Sequence, residues 1–293
     1  MQHIHFIINP ISGNGKHVIH IDLIREHFPT NMYNITLKYT EYNKHAVILT
    51  NNSISENADI IVACGGDGTI NEVASCLINK PILLGIIAVG SGNGLASNLK
   101  IPKNIGKAIS LIKKQQSLKI DVGKVNETYF FSNMGIGIDA EIISQYENMP
   151  TRGLITYMKA SLKSLRSYKY SKYTYKLADK QAFTHPFLLF VSNSNEMGNK
   201  ITITPKASLQ DGLLDVIIVP KIGYIKMIVF GLLVLVRKHY LLNEVIYKQL
   251  DYLVIDKNDD TQINMQIDGE FYQMKSNSLK ISIIKKALNV IAT

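Results

Sequence analysis

The fold of this chain is organised around one glycine-rich stretch, Cys64-Gly65-Gly66-Asp67-Gly68-Thr69-Ile70-Asn71-Glu72. The run before it, 60–63, is apolar and rich in β-branched residues, which predicts a strand buried on both faces. The run after it, 69–77, repeats apolar residues at helical spacing. The stretch therefore lies at a strand-to-helix turn, which is where an open α/β sheet binds its ligand.

The residue types in this turn favour binding of a bulky anion. Gly65, Gly66 and Gly68 let the backbone approach a ligand closely and adopt positive φ at little steric cost. The helix that follows presents free N–H groups and the positive end of its dipole. Asp67 is unusual in a phosphate-binding turn. It predicts a role in holding a metal or handling a proton, or alternatively a cap on the following helix.

Composition and charge narrow the possible partners. The 293 residues carry a formal net charge of +9, from 32 Lys and Arg against 23 Asp and Glu, which favours anionic partners. There is no basic tail or Arg-rich block, so dedicated nucleic-acid binding is not expected. The two cysteines, Cys64 and Cys76, form neither a metal pattern nor a disulfide framework, which is typical of a reducing compartment. The N-terminus lacks the features of a signal peptide, so we expect a cytoplasmic protein.

Three further strand-to-helix turns precede and follow the first one. Apolar strands are predicted over 4–8, 33–39 and 82–89, and helical spacing follows each of them. Their turns are Asn9-Pro10-Ile11-Ser12-Gly13, Thr40 and Gly90-Ser91-Gly92-Asn93-Gly94. Four such units predict a parallel, doubly wound sheet whose three glycine-rich turns open on the same edge.

The pattern changes after residue 124. Eight short strands are predicted, most of them without a crossover helix, which indicates an antiparallel second domain. Helices are predicted only near 154–165 and over 222–242. We therefore predict a nucleotide-binding domain over 1–124, a β-sandwich that binds the acceptor over 125–284, and residues 285–293 packing back on the first domain. The eight strands are 129–132, 173–177, 187–192, 201–204, 213–219, 252–255, 262–267 and 279–284.

Segment 222–242 contains ten consecutive apolar residues, 227–236, followed by the basic run 237–239. Ten residues are too few to span a bilayer, which takes about 20. A buried core helix and a membrane-surface helix both remain possible. In the second case the side chains expected to insert are Phe230, Leu232 and Leu235.

Four motifs occur in a fixed order along the chain: Asn9-Pro-x-Ser-Gly13, Gly65-Gly-Asp-Gly-Thr69, Gly90-Ser-Gly-Asn93 and Asp268-Gly-Glu270. Together they resemble the diacylglycerol kinase catalytic-domain family, which includes bacterial soluble lipid kinases and the sphingosine and ceramide kinases. The resemblance spans nearly the whole chain. The Gly-Gly-Asp-Gly motif alone is less specific, since NAD kinases and phosphofructokinases share it.

The resemblance implies an α/β domain like that of NAD kinases and phosphofructokinases, with ATP in the cleft between it and a β-sandwich. It also implies a set of nucleotide-binding residues drawn from the strand-to-helix turns. These are Asn9, Pro10, Ile11, Ser12, Gly13, Thr40, Gly65, Gly66, Asp67, Gly68, Thr69, Ile70, Asn71, Ser91, Gly92 and Asn93.

Phosphoryl transfer needs positioning, cations on the phosphates and a base for the attacking hydroxyl. Asp67 and Asp121 follow predicted strands and are candidates to hold Mg²⁺ through water. Glu270 resembles the general base of the family, and its neighbour Asp268 is a second catalytic candidate. For Asp268-Gly269 the alternative is a two-residue hairpin turn.

Two further site assignments follow from the resemblance. A second metal site is implied at the Asp211 carboxylate and the carbonyls of Ser208 and Leu213, although a plain turn entering a strand is an alternative. Asp139 is implied to face the substrate headgroup, or else to act as a helix N-cap. The chain departs from the family pattern at Asn93-Gly94 and in the glycine-poor stretch 196–200, both of which concern the acceptor.

We therefore expect an ATP- and Mg²⁺-dependent kinase that phosphorylates a lipid hydroxyl, most simply that of diacylglycerol, to give phosphatidic acid. Such an enzyme would bind the inner membrane face peripherally and reversibly, and a homodimer is compatible with this interpretation. Alternatives are a sphingoid or other lipid alcohol as acceptor, a soluble acceptor as in NAD kinases, or a non-catalytic nucleotide sensor or membrane adaptor on the same fold.

Overall fold

The structure, a computed structural model, describes residues 1–15, 19–90, 92–151, 153–177, 180–196, 202–259 and 261–292. The chain divides into two units, Met1–Ile120 with Lys285–Thr293, and Asp121–Ile284. The assignment of nucleotide binding to the first unit and acceptor binding to the second stays a prediction.

The first unit alternates strands and helices, as the sequence predicts. Strands β1, β3 and β4 contain short apolar runs, and β3 is buried along its whole length. The elements are β1 (Gln2–Ile8), α1 (Ile21–Arg25), β2 (Tyr33–Tyr39), α2 (His45–Ser55), β3 (Ile60–Gly65), α3 (Asp67–Cys76), β4 (Leu83–Ala88), α4 (Gly94–Asn98), α5 (Ile105–Lys114) and β5 (Ser117–Val125).

The strands of this unit form a parallel sheet in the order β2-β1-β3-β4. Because β1, β3 and β4 are parallel neighbours, the turns that follow them lie at one edge of the sheet. The doubly wound parallel sheet is therefore confirmed, and so is the shared edge of the three glycine-rich turns.

The second unit consists mainly of antiparallel strands with three helices. Two strands, β5 and the last strand, contribute residues to both units. The remaining elements are β6 (Thr128–Phe130), β7 (Asn133–Gly137), α6 (Ile138–Glu147), α7 (Leu154–Ser167), β8 (Tyr173–Leu177), β9 (Lys180–Thr184), β10 (Leu188–Ser192), β11 (Leu214–Val219), α8 (Tyr224–Leu235), β12 (Ile246–Leu250), β13 (Tyr252–Lys257), β14 (Ile263–Ile267), β15 (Glu270–Met274) and β16 (Ser278–Ile291).

Two sheets build this unit. One has six strands in the order β12-β11-β10-β7-β14-β15, and the other contains β16-β13-β8-β9 with the β5–β6 hairpin. A buried apolar cluster, the inner core, is formed by residues from both sheets. A second cluster, the outer core, lies on the opposite face of the six-stranded sheet, where side chains from α6, α7 and α8 contribute to it. This arrangement confirms the predicted antiparallel β-sandwich.

Several local predictions differ from the structure, and strands β7, β9 and β12 were not predicted. Residues 202–204, the described part of the strand predicted over 201–204, form no strand; Thr202 and Thr204 are buried in a loop and Ile203 packs into the outer core. Helix α6 was not predicted. The helix predicted over 222–242 ends at Leu235, because Arg237 adopts φ 57° and the N–H groups of residues 237 and 238 turn back to carbonyls of the last turn.

The helices of the described residues are all too short or too polar to cross a membrane.

Candidate active site

The three glycine-rich turns of the first unit are joined by direct hydrogen bonds. The Asn9 N–H donates to the Cys64 carbonyl at 2.9 Å, and the Val89 N–H donates to the Gly65 carbonyl at 2.9 Å. The Asn9 amide also donates to Thr69 Oγ1 at 3.1 Å. The turns after β1, β3 and β4 therefore form one connected surface at the sheet edge.

Glycine is required at the contacts between these turns. Gly13 has φ +62°, and a Cβ there would lie 2.4 Å from the Val89 carbonyl oxygen. A Cβ at Gly90 would lie 2.6 Å from the Cα of Gly66. By contrast, among the described residues, which exclude Ser91, a Cβ at Gly66 meets only the Gly90 Cα, at 3.5 Å. Gly66 thus lies on a patch of bare backbone, directly before the first residue of α3, and the described residues leave the space above it open.

Asp67 is the first residue of α3, whose N-cap is Gly66. Its carboxylate accepts the N–H of Asn93 at 2.6 Å and the N–H of Gly94 at 2.8 Å. Burial raises the pKa of Asp67, and these two N–H donors oppose the shift. Asp67 therefore caps the start of α4 and ties the second glycine-rich turn to the third. The alternative in which it caps its own helix is wrong.

The turn after β2 joins the same edge. The Thr40 N–H donates to the Ile8 carbonyl at 2.8 Å, which extends the pairing of β1 and β2. Glu72, on α3, accepts the N–H of Lys44 at 3.1 Å just before α2. This role of Glu72 could not be predicted from the sequence, because its partner is 28 positions away.

The structure brings the other predicted nucleotide-binding residues to this surface. Ile11 is 81% exposed, whereas Ile70 is buried in the first unit. Asn93 is buried, and its side-chain oxygen has no hydrogen-bond partner among the described residues. Ser91 lies outside the described residues, as do positions 197–200. Of the remaining residues of the predicted set, Pro10, Ser12 and Gly92 are part of the turns, and Gly68 and Asn71 lie in the first turns of α3.

In the second unit, Asp268 and Gly269 form the two-residue turn between β14 and β15, with φ 47° and 84°. The predicted hairpin is thus present. The Asp268 carboxylate accepts three backbone N–H groups, from Phe131 at 2.8 Å, Ser132 at 2.8 Å and Asn133 at 3.0 Å. Both carboxylate oxygens accept these hydrogen bonds. Asp268 therefore holds the β14–β15 turn in position.

Replacing Asp268 by Asn should lower the free energy of unfolding by about 2–3 kcal/mol. Asn tolerates the positive φ, but its NH₂ group would face a backbone N–H donor in place of an acceptor oxygen. Thermal and urea unfolding measure the change. Glu127→Gln is the matched control, because Glu127 is an exposed carboxylate beside the β5–β6 turn. Equal stability of the two variants would contradict the role given to Asp268.

The turn carries Glu270 at its end, where the side chain is exposed and its Oε2 accepts the Tyr272 hydroxyl at 3.3 Å. Gln266 is buried in β14 and stabilises the turn through hydrogen bonds of its side-chain amide. Its Oε1 accepts the Gly269 N–H at 2.9 Å, and its Nε2 donates to Asp139 Oδ2 at 2.8 Å. Gln266 was missed by the sequence analysis.

Asp139 lies in the first turn of α6, whose N-cap is Gly137, so the N-cap alternative for Asp139 is wrong. The residue is only 5% exposed. Burial raises the pKa of Asp139 to about 6, and the hydrogen bond from Gln266 opposes the shift. Contact with a substrate headgroup stays a prediction.

Replacing Asp139 by Asn should change how stability depends on pH. The folded pKa of about 6 lies above the ordinary value near 4, so the native protein loses stability as pH rises from about 4 to about 6. Asn stays neutral and escapes this loss. Between about pH 4 and about pH 6, the free energy of unfolding of the variant should therefore rise relative to that of the native protein, by up to about 3 kcal/mol. Urea unfolding over a pH series measures this difference. If the stability of both proteins depends on pH in the same way, the raised pKa of the buried Asp139 is contradicted.

The segment that carries the predicted second metal site lies against Asp121, and the site itself stays a prediction. The Asp121 N–H donates to the Leu209 carbonyl at 2.7 Å, and Asp121 Oδ2 accepts the Gly212 N–H at 2.7 Å. The segment containing Ser208, Asp211 and Leu213 is thereby held against Asp121.

The donors at this place suit a hydrated cation better than one held by carboxylates alone. Asp211 is exposed, and its Oδ1 accepts the Leu213 N–H at 3.0 Å. Ser208 Oγ accepts the Gln210 N–H at 3.3 Å. Among the described residues, no three His, Cys, Asp or Glu side chains are grouped so as to hold a metal ion. A cation here would take backbone carbonyls and water as most of its ligands, which Mg²⁺ readily does.

Two protein-family models match the chain. Residues 3–125 match the diacylglycerol kinase catalytic domain, and residues 132–292 match the YegS C-terminal NAD kinase beta sandwich-like domain.

Similar proteins span nearly the whole chain. A diacylglycerol kinase of Bacillus subtilis (strain 168) is 28% identical over 280 residues, covering 92% of this chain and 90% of the relative. A diacylglycerol kinase of Staphylococcus aureus (strain Newman) is 28% identical over 279 residues, covering 90% and 85%. The crystal structure of a putative diacylglycerol kinase from Bacillus anthracis str. Sterne superposes with a TM-score of 0.78 at 20% identity, covering 100% of this chain and 97% of the other. That likeness shows the fold.

Proposed function

The chain belongs to the diacylglycerol kinase catalytic-domain family, and we propose that it transfers the γ-phosphoryl group of ATP to the hydroxyl of diacylglycerol. Membership of this family supports a kinase with a lipid acceptor. The use of ATP and Mg²⁺ and the choice of diacylglycerol as acceptor are our proposal for this chain.

The observation that carries the proposal is the patch of bare backbone at Gly66. It lies at the N-terminus of α3, and the part of the chain that the structure describes leaves the space above it open. The first N–H groups of a helix have no partner within the helix and attract phosphate. The Asp67 carboxylate accepts the N–H groups of Asn93 and Gly94 and so links the N-terminus of α3 to the third glycine-rich turn. The residues present therefore fit the phosphates of a nucleotide.

On the acceptor side we assign the general base to Glu270. Its carboxylate is exposed and attached to a turn that Asp268 and Gln266 hold in place. In phosphoryl transfer the base accepts the proton of the attacking hydroxyl. Asp268 is the weaker catalytic candidate, because backbone N–H groups occupy its carboxylate.

Bound Mg²⁺ supplies positive charge that offsets the charge of the transferred phosphoryl group. The residues that fit a hydrated cation are Asp121 with the segment 208–213, which contains Ser208, Asp211 and Leu213. This segment contributes carbonyl oxygens, and the Asp121 carboxylate contributes charge.

Transfer of radiolabelled phosphate from ATP tests the proposal. The purified protein is incubated with a total bacterial lipid extract, with short-chain diacylglycerol, with sphingosine and with NAD, each with and without EDTA. We expect labelled phosphatidic acid from the extract, a labelled product from short-chain diacylglycerol, and loss of both with EDTA. A product from sphingosine alone would replace the acceptor. A product from NAD alone, or from none of the acceptors, would overturn the lipid kinase proposal.

A further inference from the structure

Helix α8 exposes an apolar face. Ile225 is 77% exposed, Leu232 59% and Leu235 64%, whereas Met227 and Phe230 are buried in the outer core. The expected insertion of Phe230 is therefore wrong, since its ring packs against Phe187 at 5.9 Å between centroids. At 100° per residue the exposed apolar side chains fall on one side of the helix. They are Ile225, Ile228, Val229, Leu232, Leu235 and Val236.

The apolar face continues beyond the helix. Tyr240 and Leu241, in the short helical turn after α8, are 60% and 61% exposed. Monomeric soluble proteins rarely expose contiguous apolar patches of this kind, and such patches usually mark an interaction site.

The residues around this face are basic. The stretch 216–243 contains no Asp or Glu. It contains Lys221, Lys226, Arg237 and Lys238, all exposed. The first acidic residue after the stretch, Glu244, forms an ion pair with Lys226.

Helix α7 carries the same combination. Ile155, Met158 and Leu162 are spaced for one helix face and are 72%, 54% and 61% exposed. Lys159, Lys163 and Arg166 of the same helix are also exposed. Side chains of α7 and α8 both contribute to the outer core, so both helices lie on the same side of the six-stranded sheet.

We propose that α8, together with α7, docks the protein on an anionic lipid surface, with the apolar faces entering the bilayer boundary and the basic residues beside the headgroups. The choice of a lipid partner rests on the proposed function, whose acceptor is in the membrane. A second copy of the chain fits less well, because a two-fold contact through this face would bring cations together without acidic partners in 216–243.

Vesicle co-sedimentation of the full-length protein tests the surface. We expect binding to vesicles of phosphatidylglycerol and phosphatidylcholine at low salt, much weaker binding to pure phosphatidylcholine, and weakening by salt. Leu232→Asn/Leu235→Asn should lower partitioning about tenfold or more. Met32→Asn/Ile48→Asn is the matched control, because both residues are exposed apolar side chains of the first unit.

A second pair of variants, one charge reversal and its matched control, tests the basic residues. Arg237→Glu/Lys238→Glu should lower partitioning about tenfold or more, since each cation near an anionic surface contributes roughly fivefold. Lys113→Glu/Lys114→Glu makes the same charge change at the C-terminal turn of α5 and should bind normally. Circular dichroism checks that all variants are folded.

A tryptophan probe reports insertion directly, because the sequence contains no tryptophan. Leu232→Trp should shift its emission to the blue on anionic vesicles, and Met32→Trp should not. If both α8 double variants bind vesicles like the native protein, the docking surface is refuted. Loss of a dimer in Leu232→Asn/Leu235→Asn, without vesicle binding by the native protein, would assign the face to self-association and overturn the proposal.

The assay with short-chain diacylglycerol separates this inference from the proposed function. Docking variants should phosphorylate the short-chain lipid normally and long-chain lipid in vesicles poorly. A native protein that binds vesicles through α8 but phosphorylates no lipid would leave the docking surface standing and refute the kinase proposal.

Discussion

Replacing Glu270 by Gln should lower kcat roughly 10²–10⁴-fold and leave ATP affinity unchanged. Gln has the shape of Glu but cannot accept the hydroxyl proton. The Glu270 carboxylate is exposed, and its Oε2 accepts the Tyr272 hydroxyl at 3.3 Å. Single-turnover transfer from ATP to short-chain diacylglycerol measures the chemical step, and calorimetry measures ATP binding.

Glu127→Gln is the control, because it removes an exposed carboxylate beside another hairpin turn of the same unit. It should keep native kcat. If Glu270→Gln keeps most of its kcat, the base is a different residue. The other carboxylates of the four sequence motifs are then the candidates, namely Asp67 and Asp268. Both would then have to give up backbone N–H donors to take the proton.

The parallel half of the fold was predictable because its signals are local. Each buried strand is followed within a few residues by its turn and helix. The residues next to the Gly65–Asp67 turn therefore already indicate the strand before it and the helix after it. The shared sheet edge then follows from parallel pairing alone. The contact between Gly66 and Gly90 could not be predicted, because it depends on the packing of two turns 24 positions apart.

The roles within the second unit were harder to predict because their partners are distant in sequence. Asp268 binds N–H groups 135 to 137 positions earlier, so the sequence showed the turn but not the function of the carboxylate. Gln266 alternates with inward-facing Met265 and Ile267, which suggests an exposed position. It is buried only because α6, which was not predicted, lies over that face.

Helix α8 shows a different limit of prediction from the sequence. Its residues are apolar around most of the circumference, so the pattern does not indicate which side faces the core. Phe230 points inward and Leu232 outward, and only the packing against Phe187 distinguishes them. The alternatives of a core helix and a surface helix each describe one face of the same element.

Replacing Gly66 by Val should abolish measurable ATP binding, with a rise in Kd of at least about a hundredfold. The phosphates need the space above the bare backbone, and a β-branched side chain would occupy it. Losing two charge-assisted hydrogen bonds from backbone N–H groups costs about 3 kcal/mol or more, which corresponds to about that factor.

The substitution should not unfold the protein. Gly66 has φ −88° and ψ −171°, an extended conformation that Val adopts readily. Of the residues that the structure describes, its Cβ would contact only Gly90, at 3.5 Å from the Cα. A substitution at Gly90 would be uninformative, because its Cβ would lie 2.6 Å from Gly66 and disturb the turns themselves.

Gly223→Val is the matched control for this experiment. Gly223 is also a helix N-cap with extended backbone, φ −72° and ψ 158°, and no described residue lies within 4 Å of a Cβ built there. It should bind ATP normally, as measured by calorimetry, and both variants should melt close to the native protein. Native ATP affinity in a folded Gly66→Val variant would mean that the nucleotide binds away from the N-terminus of α3, and the roles given to the three glycine-rich turns would then have to be withdrawn.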